Sequence, residues 1–326
     1  MRDISYAQAI NEAIRECMKE DDTVILLGED IGPYGGIFQV SAGLLEEFGA
    51  ERVIDTPISE AGFVGAAVGA AMTGIRPIAE IMFIDFTTVC MDMIVNQMAK
   101  MRYMFGGRSK VPMVLRTNIG AGRGTAAQHS QSFHAFFMHT PGLYVAAPST
   151  PYDAKGLMIE AIKNDNPVVF VEHKKLYVDK GPVPEESYRI PFGQADIKRT
   201  GKDITVVATH AMVGRSMNAA GEVAKEGIDV EIIDPRTLLP LDKGTILESV
   251  KKTGRLLVAD EGPKTCGIAA EIATIVSEEA IFYLKAPVRR VCSPDTPVPF
   301  SPPLEQAYIA DEKELLPAIR DLMAYA

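Results

Sequence analysis

The sequence has only four cysteines in 326 residues, Cys17, Cys90, Cys266 and Cys292, and no two lie close together. That excludes a disulfide-stapled scaffold and a cysteine-based metal motif. No run of Lys or Arg is longer than two, and 43 Asp plus Glu outweigh 33 Lys plus Arg, for a net charge of −10. So acidic a chain, without a basic patch, is not expected to bind nucleic acid. Its most apolar run, 61–75, is short of the roughly 20 residues a membrane span needs. It reads as a buried helix, and no membrane association is expected. The opening Met1-Arg-Asp-Ile-Ser-Tyr6 lacks the apolar core of a signal peptide. Together with the scattered cysteines this predicts a cytoplasmic location.

What is present is a rhythm. Short apolar runs over 23–28, 76–83, 111–116, 143–147 and 167–172 read as buried strands, and helical patterns fill 5–20, 60–74, 86–104 and 151–164. Strands apolar throughout, separated by helices, predict a mainly parallel sheet covered on both faces. The stretch 176–199 breaks the rhythm with Gly181-Pro-Val-Pro184 and Ile190-Pro-Phe-Gly193 and reads as a linker. Strands over 204–209, 230–234, 255–260 and 288–292 then alternate with helices near 211–226, 242–252 and 266–283. The expectation is an α/β protein of two domains, 1–175 and 200–326.

Several residues are candidates for chemistry. Glu60 follows Asp55-Thr-Pro-Ile-Ser59 at a helix start, where a carboxylate also suits the helix dipole. The helix it opens carries Gly62, Gly65 and Gly69, each costing about 1 kcal/mol of helix propensity, which predicts close approach by another backbone. Four of the five histidines, His129, His134, His139 and His173, fall within 45 residues. Their spacing is poor for a zinc site, so an acid–base histidine in a loop is the better reading. Gly120-Ala-Gly-Arg-Gly124 is glycine-rich but is not Gly-x-Gly-x-x-Gly, and no acidic residue follows about 20 positions on. An active-site loop and an ordinary loop both remain open for it. An NAD-dependent dehydrogenase is therefore a distant alternative. Ser130 and Ser132 near His129 lack the Gly-x-Ser-x-Gly elbow of a hydrolase.

Leu27-Gly-Glu-Asp30, Ile54-Asp-Thr-Pro-Ile-Ser-Glu60, Ala127-Gln-His-Ser-Gln131, Pro141-Gly-Leu143 and Asp153-Ala-Lys-Gly156 occur in this order, followed by Ile233-Asp-Pro-Arg-Thr237 and Asp295-Thr-Pro-Val-Pro-Phe300. Together they resemble the β subunits of thiamine-diphosphate-dependent 2-oxo-acid and acetoin dehydrogenases, over nearly the whole chain. The resemblance implies a transketolase-like pyrimidine-binding domain and a transketolase C-terminal-like domain. It also implies that Glu60 hydrogen-bonds N1′ of the cofactor's aminopyrimidine and that Glu29, Ile58, Met82 and Phe86 lie close to that ring. His129 matches a histidine near the reacting carbon. Backbone carbonyls of Met113, Ala161, Ile162, Asn164 and Asn166 match a potassium site, although Asn164 replaces an Asp often found there.

The chain contains no Gly-Asp dipeptide, and so lacks the start of the family's diphosphate and Mg²⁺ motif. The resemblance thus implies an α subunit that holds Mg²⁺ in an α2β2 heterotetramer, and a lipoyl acyltransferase core as acceptor. The stretches 82–86, 102–107, 172–177 and 246–255 look more like acetoin than pyruvate enzymes. Acetoin is the favoured substrate, with pyruvate or a branched-chain 2-oxo acid as the alternative.

Overall fold

The computed structural model describes residues 1–325. These divide into two compact units, one of residues 1–119 and 136–192, the other of residues 120–135 and 193–325.

The first unit contains β1 (Arg2–Ser5), α1 (Tyr6–Glu20), β2 (Val24–Gly28), α2 (Leu44–Phe48), β3 (Val53–Asp55), α3 (Glu60–Met72) and β4 (Arg76–Glu80). After them come α4 (Met101–Met104), β5 (Val114–Ile119), α5 (Ala135–Met138), β6 (Tyr144–Ala146), α6 (Pro151–Lys163), β7 (Val168–His173) and β8 (Lys180–Val183). Its main sheet runs in the order β6-β7-β5-β4-β2-β3, parallel at every pairing. β5 and β7 are buried along their whole length, as the unbroken apolar runs predict for strands covered on both faces. α1 begins with a capping box in which Ser5 and Gln8 satisfy each other's backbone.

Two stretches depart from expectation. The continuous helix predicted for 86–104 is a 3₁₀ turn (Ile84–Cys90), a π-helical turn (Met93–Met98) and α4. The hydroxyls of Thr87 and Thr88 donate to the carbonyls of Ile84 and Asp85, at 2.6 and 2.8 Å. Such side-chain bonds three residues back compete with regular α-helix. The stretch read as a linker is also structured. β8 pairs antiparallel with β1, Pro182 opposite Asp3, a position proline tolerates in a two-stranded edge. Tyr188 stacks on Tyr152 with centroids 4.6 Å apart, and Ile190 is buried. Within this chain a Cβ on Gly65 of α3 would lie 3.0 Å from Met93 Sδ, and one on Gly69 would meet nothing within 4 Å.

The second unit contains β9 (Asp196–Arg199), β10 (Ile204–Ala208), α7 (Ala211–Ala224), β11 (Val230–Asp234), β12 (Thr237–Leu239), α8 (Lys243–Thr253) and β13 (Leu256–Pro263). It ends with α9 (Ile268–Glu279), β14 (Arg289–Ser293), α10 (Pro302–Tyr308) and α11 (Glu312–Met323). Its sheet has the order β14-β13-β10-β11-β9, parallel except for the antiparallel edge strand β9. Leu315, Ile319 and Leu322 of α11 close the core over Val206, Leu257 and Val223. The segment 120–135 belongs to this unit, not to the domain in which a contiguous division at 175 puts it. The reason lies in carboxylates described below. Among the described residues no helix is long and apolar enough to cross a membrane.

Candidate active site

In the first unit the candidate residues gather at the C-terminal edge of the parallel sheet, where α/β sheets bind ligands. Gly28 ends β2 against β4; a Cβ there would sit 2.7 Å from the Glu80 carbonyl oxygen, so only glycine allows this approach. Its own carbonyl accepts from Thr56 N at 2.9 Å, which ties the exit of β2 to the exit of β3. Asp55 Oδ1 accepts from Ile31 N at 3.0 Å and secures the turn after Glu29. The loops that carry Glu29 and Glu60 are thereby fastened side by side.

Both carboxyls are buried, each 8% exposed. Glu29 Oε1 has no hydrogen-bond partner, and among the described residues no side chain bonds to Glu60. Burial, and next the charge of Glu60, push the Glu29 carboxyl above its usual range; the Ser59 backbone amide only partly offsets them. Glu60 occupies the first turn of α3.

Met82 and Phe86 leave β4 just beyond Glu80, and both are half-buried. Asn118 Nδ2 donates to the Met82 carbonyl, and Phe83 packs edge-on against Phe86 at 5.9 Å. Ile58 projects with 84% exposure beside the Glu60 turn. A ring bearing nitrogen donors and acceptors suits this set: unpartnered acids at one edge, thioether and phenyl groups nearby.

Beneath it lies a feature the sequence reading missed. Arg116 of β5 donates through Nε and Nη2 to the two oxygens of Glu172, both at 2.7 Å, and through Nη1 to Glu80. Tyr177 Oη donates to Glu172 Oε2 at 2.6 Å. All four are buried. The available signal was a carboxylate ending β4, an arginine within β5 and a carboxylate within β7, all inside apolar strands.

The carbonyls expected to hold potassium are engaged by the protein. Arg76 Nη1 donates to Ile162 O and Asn164 O, both at 3.1 Å, and Nη2 to Asp165 Oδ1 at 2.8 Å. The Lys110 hydrogen bond, ahead of that from Arg76, holds the Asp165 carboxyl below its usual range. Ala161 O accepts from Asn164 N at 3.3 Å, and Met113 O from Val168 N at 3.0 Å. Asn166 turns its side-chain oxygen to Arg102.

His129 belongs to the second unit, in the 3₁₀ turn Ala127–His129, and is half-buried. Thr125 Oγ1 donates to its carbonyl at 3.2 Å, and Ala126 takes φ of +59°, which few non-glycine residues adopt. The other histidines are dispersed. His134 Nε2 lies 3.2 Å from Asp260 Oδ2, His139 is exposed, and His173 Nδ1 accepts from Lys175 N at 3.2 Å.

A parallel sheet with buried, unpartnered carboxyls at its C-terminal edge, joined to a second α/β unit, defines a transketolase-type pyrimidine-binding chain. Residues 2–180 match the family described as transketolase, pyrimidine binding domain, and residues 193–315 match transketolase, C-terminal domain. The chain is 52% identical to the beta subunit of acetoin:2,6-dichlorophenolindophenol oxidoreductase from Cupriavidus necator, covering 99% of this chain and 98% of that one. It is 44% identical to the pyruvate dehydrogenase E1 component subunit beta of Bacillus subtilis, covering 100% of both. The solved structure of a split-gene transketolase, described as an inactive beta4 tetramer, shares the fold with a TM-score of 0.82 at 22% identity, covering 99% of each chain. The chain belongs to the family of β subunits of thiamine-diphosphate-dependent acetoin and pyruvate dehydrogenases.

Proposed function

We propose that this chain is the pyrimidine-binding half of an α2β2 dehydrogenase that cleaves acetoin and passes the acyl group to a lipoyl acyltransferase core in the cytoplasm. The observation that carries the reading is the buried carboxyl pair. Glu29 Oε1 is buried without a hydrogen-bond partner, and no hydrogen bond from a described side chain meets Glu60, so the site can take a nitrogen donor. Thiamine diphosphate, when bound, would supply an acidic carbon whose conjugate base is the nucleophile for the substrate carbonyl. Glu60 would hydrogen-bond N1′ of the aminopyrimidine, with the Glu29 carboxyl, pushed up by burial and then by the Glu60 charge, close to the same ring. Met82 and Phe86 would line the ring, with Ile58 close to it. His129 acts at the reacting carbon or guides the lipoyl thiol. Mg²⁺ and the diphosphate belong to the α subunit, since this chain has no Gly-Asp dipeptide.

Acetoin is preferred because the more similar of the relatives, in Cupriavidus necator and in Bacillus subtilis at 47% identity, are acetoin enzymes. Pyruvate dehydrogenase β subunits follow closely, so pyruvate is the second reading. A monovalent cation at the 161–166 loop would bind weakly, because Arg76 already takes a lone pair from two of its carbonyls.

The test is the chain coexpressed with its α subunit and assayed on acetoin, pyruvate and branched-chain 2-oxo acids. A kcat/KM for pyruvate about tenfold or more above that for acetoin overturns the substrate choice. Glu60→Gln, which cannot exchange a proton with N1′, is expected to cut turnover by about 10²- to 10⁴-fold with melting unchanged.

A further inference from the structure

The glycine loop that looks like a phosphate cradle in sequence already holds anions of its own unit. Gly120, Gly122 and Gly124 have φ of +105°, +99° and +65°, a region glycine enters without steric cost. Backbone of this kind can turn successive N–H groups to one side and form a concavity for an anion. Ala121 N donates to Glu261 Oε1 at 2.8 Å. Gly122 N and Gly124 N donate to the two oxygens of Glu305, at 2.8 and 3.0 Å. Glu261 of β13 and Glu305 of α10 are both buried. The second oxygen of Glu261 accepts from Arg215 Nη1 at 3.2 Å, so that carboxylate is itself fixed. Ala121 is buried with Val298, Tyr308 and Ile309.

The far end of the same segment is also anchored. His134 Nε2 lies 3.2 Å from Asp260 Oδ2, and Asp260 further accepts from Thr209 Oγ1 at 2.5 Å and Gly262 N at 3.0 Å. A Cβ on Gly262 would come within 3.2 Å of the His134 ring and the Ser132 carbonyl. His129 lies between the two anchors.

We infer that Glu305 and Glu261 are positioning residues, whose carboxylates fill the amide concavity of the 120–124 loop and fix the segment that presents His129. The inference rests on the role proposed for His129. It also explains the glycines without a nucleotide: they turn the N–H groups of Ala121, Gly122 and Gly124 toward carboxylates of the same chain, so these three amides are already taken.

The experiment uses the chain assembled with its α subunit and reads hydrogen exchange and turnover together. In Glu305→Ala, peptides covering 120–126 should exchange about tenfold faster or more, while those of β10 and β13 keep their protection. Lipoamide-coupled kcat should fall about ten- to a hundredfold with KM for acetoin nearly unchanged, as expected when a group is misplaced rather than removed. Glu305→Gln, which offers one oxygen instead of two, should lie between alanine and wild type on both readings, and these decide the matter if the alanine variant misfolds. The double variant with His129→Ala should be no slower than His129→Ala alone. Unchanged exchange over 120–126 in Glu305→Ala overturns the clamp. Multiplicative losses in the double variant overturn the link to His129. Wild-type turnover in His129→Ala instead overturns the role given to that histidine, a failure distinguishable from loss of the clamp because exchange is read separately.

Discussion

In the first unit a buried arginine lies between two glutamates on three adjacent strands; in the second a buried aspartate of β13 lies among two histidines and a threonine. The Arg116 cluster has matched partners: a bidentate bond to Glu172, a bond to Glu80 and the Tyr177 hydroxyl. A guanidinium stays charged at any working pH, so the cation of the brace does not switch. Asn118, two residues on and on the same face of β5, bonds the Met82 carbonyl. One strand thus fixes both the end of β4 and the loop that leaves it. The Asp260 cluster is built from titratable groups and joins a loop residue, His134, to a strand end. Charge buried within a sheet makes a rigid floor, whereas charge buried at a loop end makes an attachment that protons can weaken.

The sharpest way to break this contrast is Arg116→Met. It leaves Glu80 and Glu172 buried without their cation, and breaking a buried pair costs about 3–5 kcal/mol. For a chain of this size that is roughly a 10 °C fall in melting temperature. Burial already pushes the Glu80 carboxyl up, with Arg116 opposing it, so the variant should favour protonated Glu80 and lose less stability in mildly acidic buffer. Thermal melts across pH 5 to 8, roughly the range where protein stability usually peaks, check this. A variant as stable as wild type would show that the brace is dispensable.

The loop attachment should break more gently. Burial alone would raise the Asp260 carboxyl, but His134, through its charge and then its hydrogen bond, outweighs that with help from Thr209 and His210 and brings it to about 2. Its folded value is therefore depressed. The stabilisation it supplies is full above about pH 4 and is lost as pH falls toward about 2. A carboxyl brought down to about 2 is worth on the order of 2 kcal/mol. Asp260→Asn should show that deficit in urea melts at neutral pH, and the deficit should shrink on acidification below about pH 4. An equal deficit at both ends of the range would mean that the aspartate matters through shape, not charge.

This difference also explains what the sequence made legible. Most strands of both sheets were readable because residues such as Val168–Val171 and Leu256–Ala259 are buried on both faces and so form unbroken apolar runs, whereas β9 fell within the stretch read as a linker. Glu60 and Glu29 were found through the order of short motifs. The assignment of 120–135 to the second unit was not readable, because Ala121 meets Glu261 across 140 residues and Gly122 meets Glu305 across 183. No local pattern records such a partner. The 86–104 stretch was misread because Thr87 and Thr88 return hydrogen bonds to the preceding turn, which apolar periodicity does not register.

The smallest expected effect concerns the 161–166 loop, a third way of meeting charge, in which backbone carbonyls rather than carboxylates face a cation. Arg76 Nη1 lies 3.1 Å from both the Ile162 and Asn164 carbonyls, so these oxygens already converge on one positive group. Each keeps a second lone pair, yet a potassium ion would have to bind beside that guanidinium, whose charge the Asp165 carboxylate already engages, and Asn164 brings no further charge. Asn164 Oδ1 is also occupied by the Asn166 amides, at 2.9 and 3.0 Å. Binding that weak stabilises by about 1 kcal/mol or less at about 100 mM ion, or roughly 2 °C in melting temperature. Exchange of choline chloride for potassium chloride should shift the melt by no more than that. Arg76→Met, which returns both carbonyls to solvent, should enlarge the potassium response even as it lowers stability in choline. A large potassium shift in the wild-type chain, left unchanged in Arg76→Met, would show that ion and arginine use different oxygens.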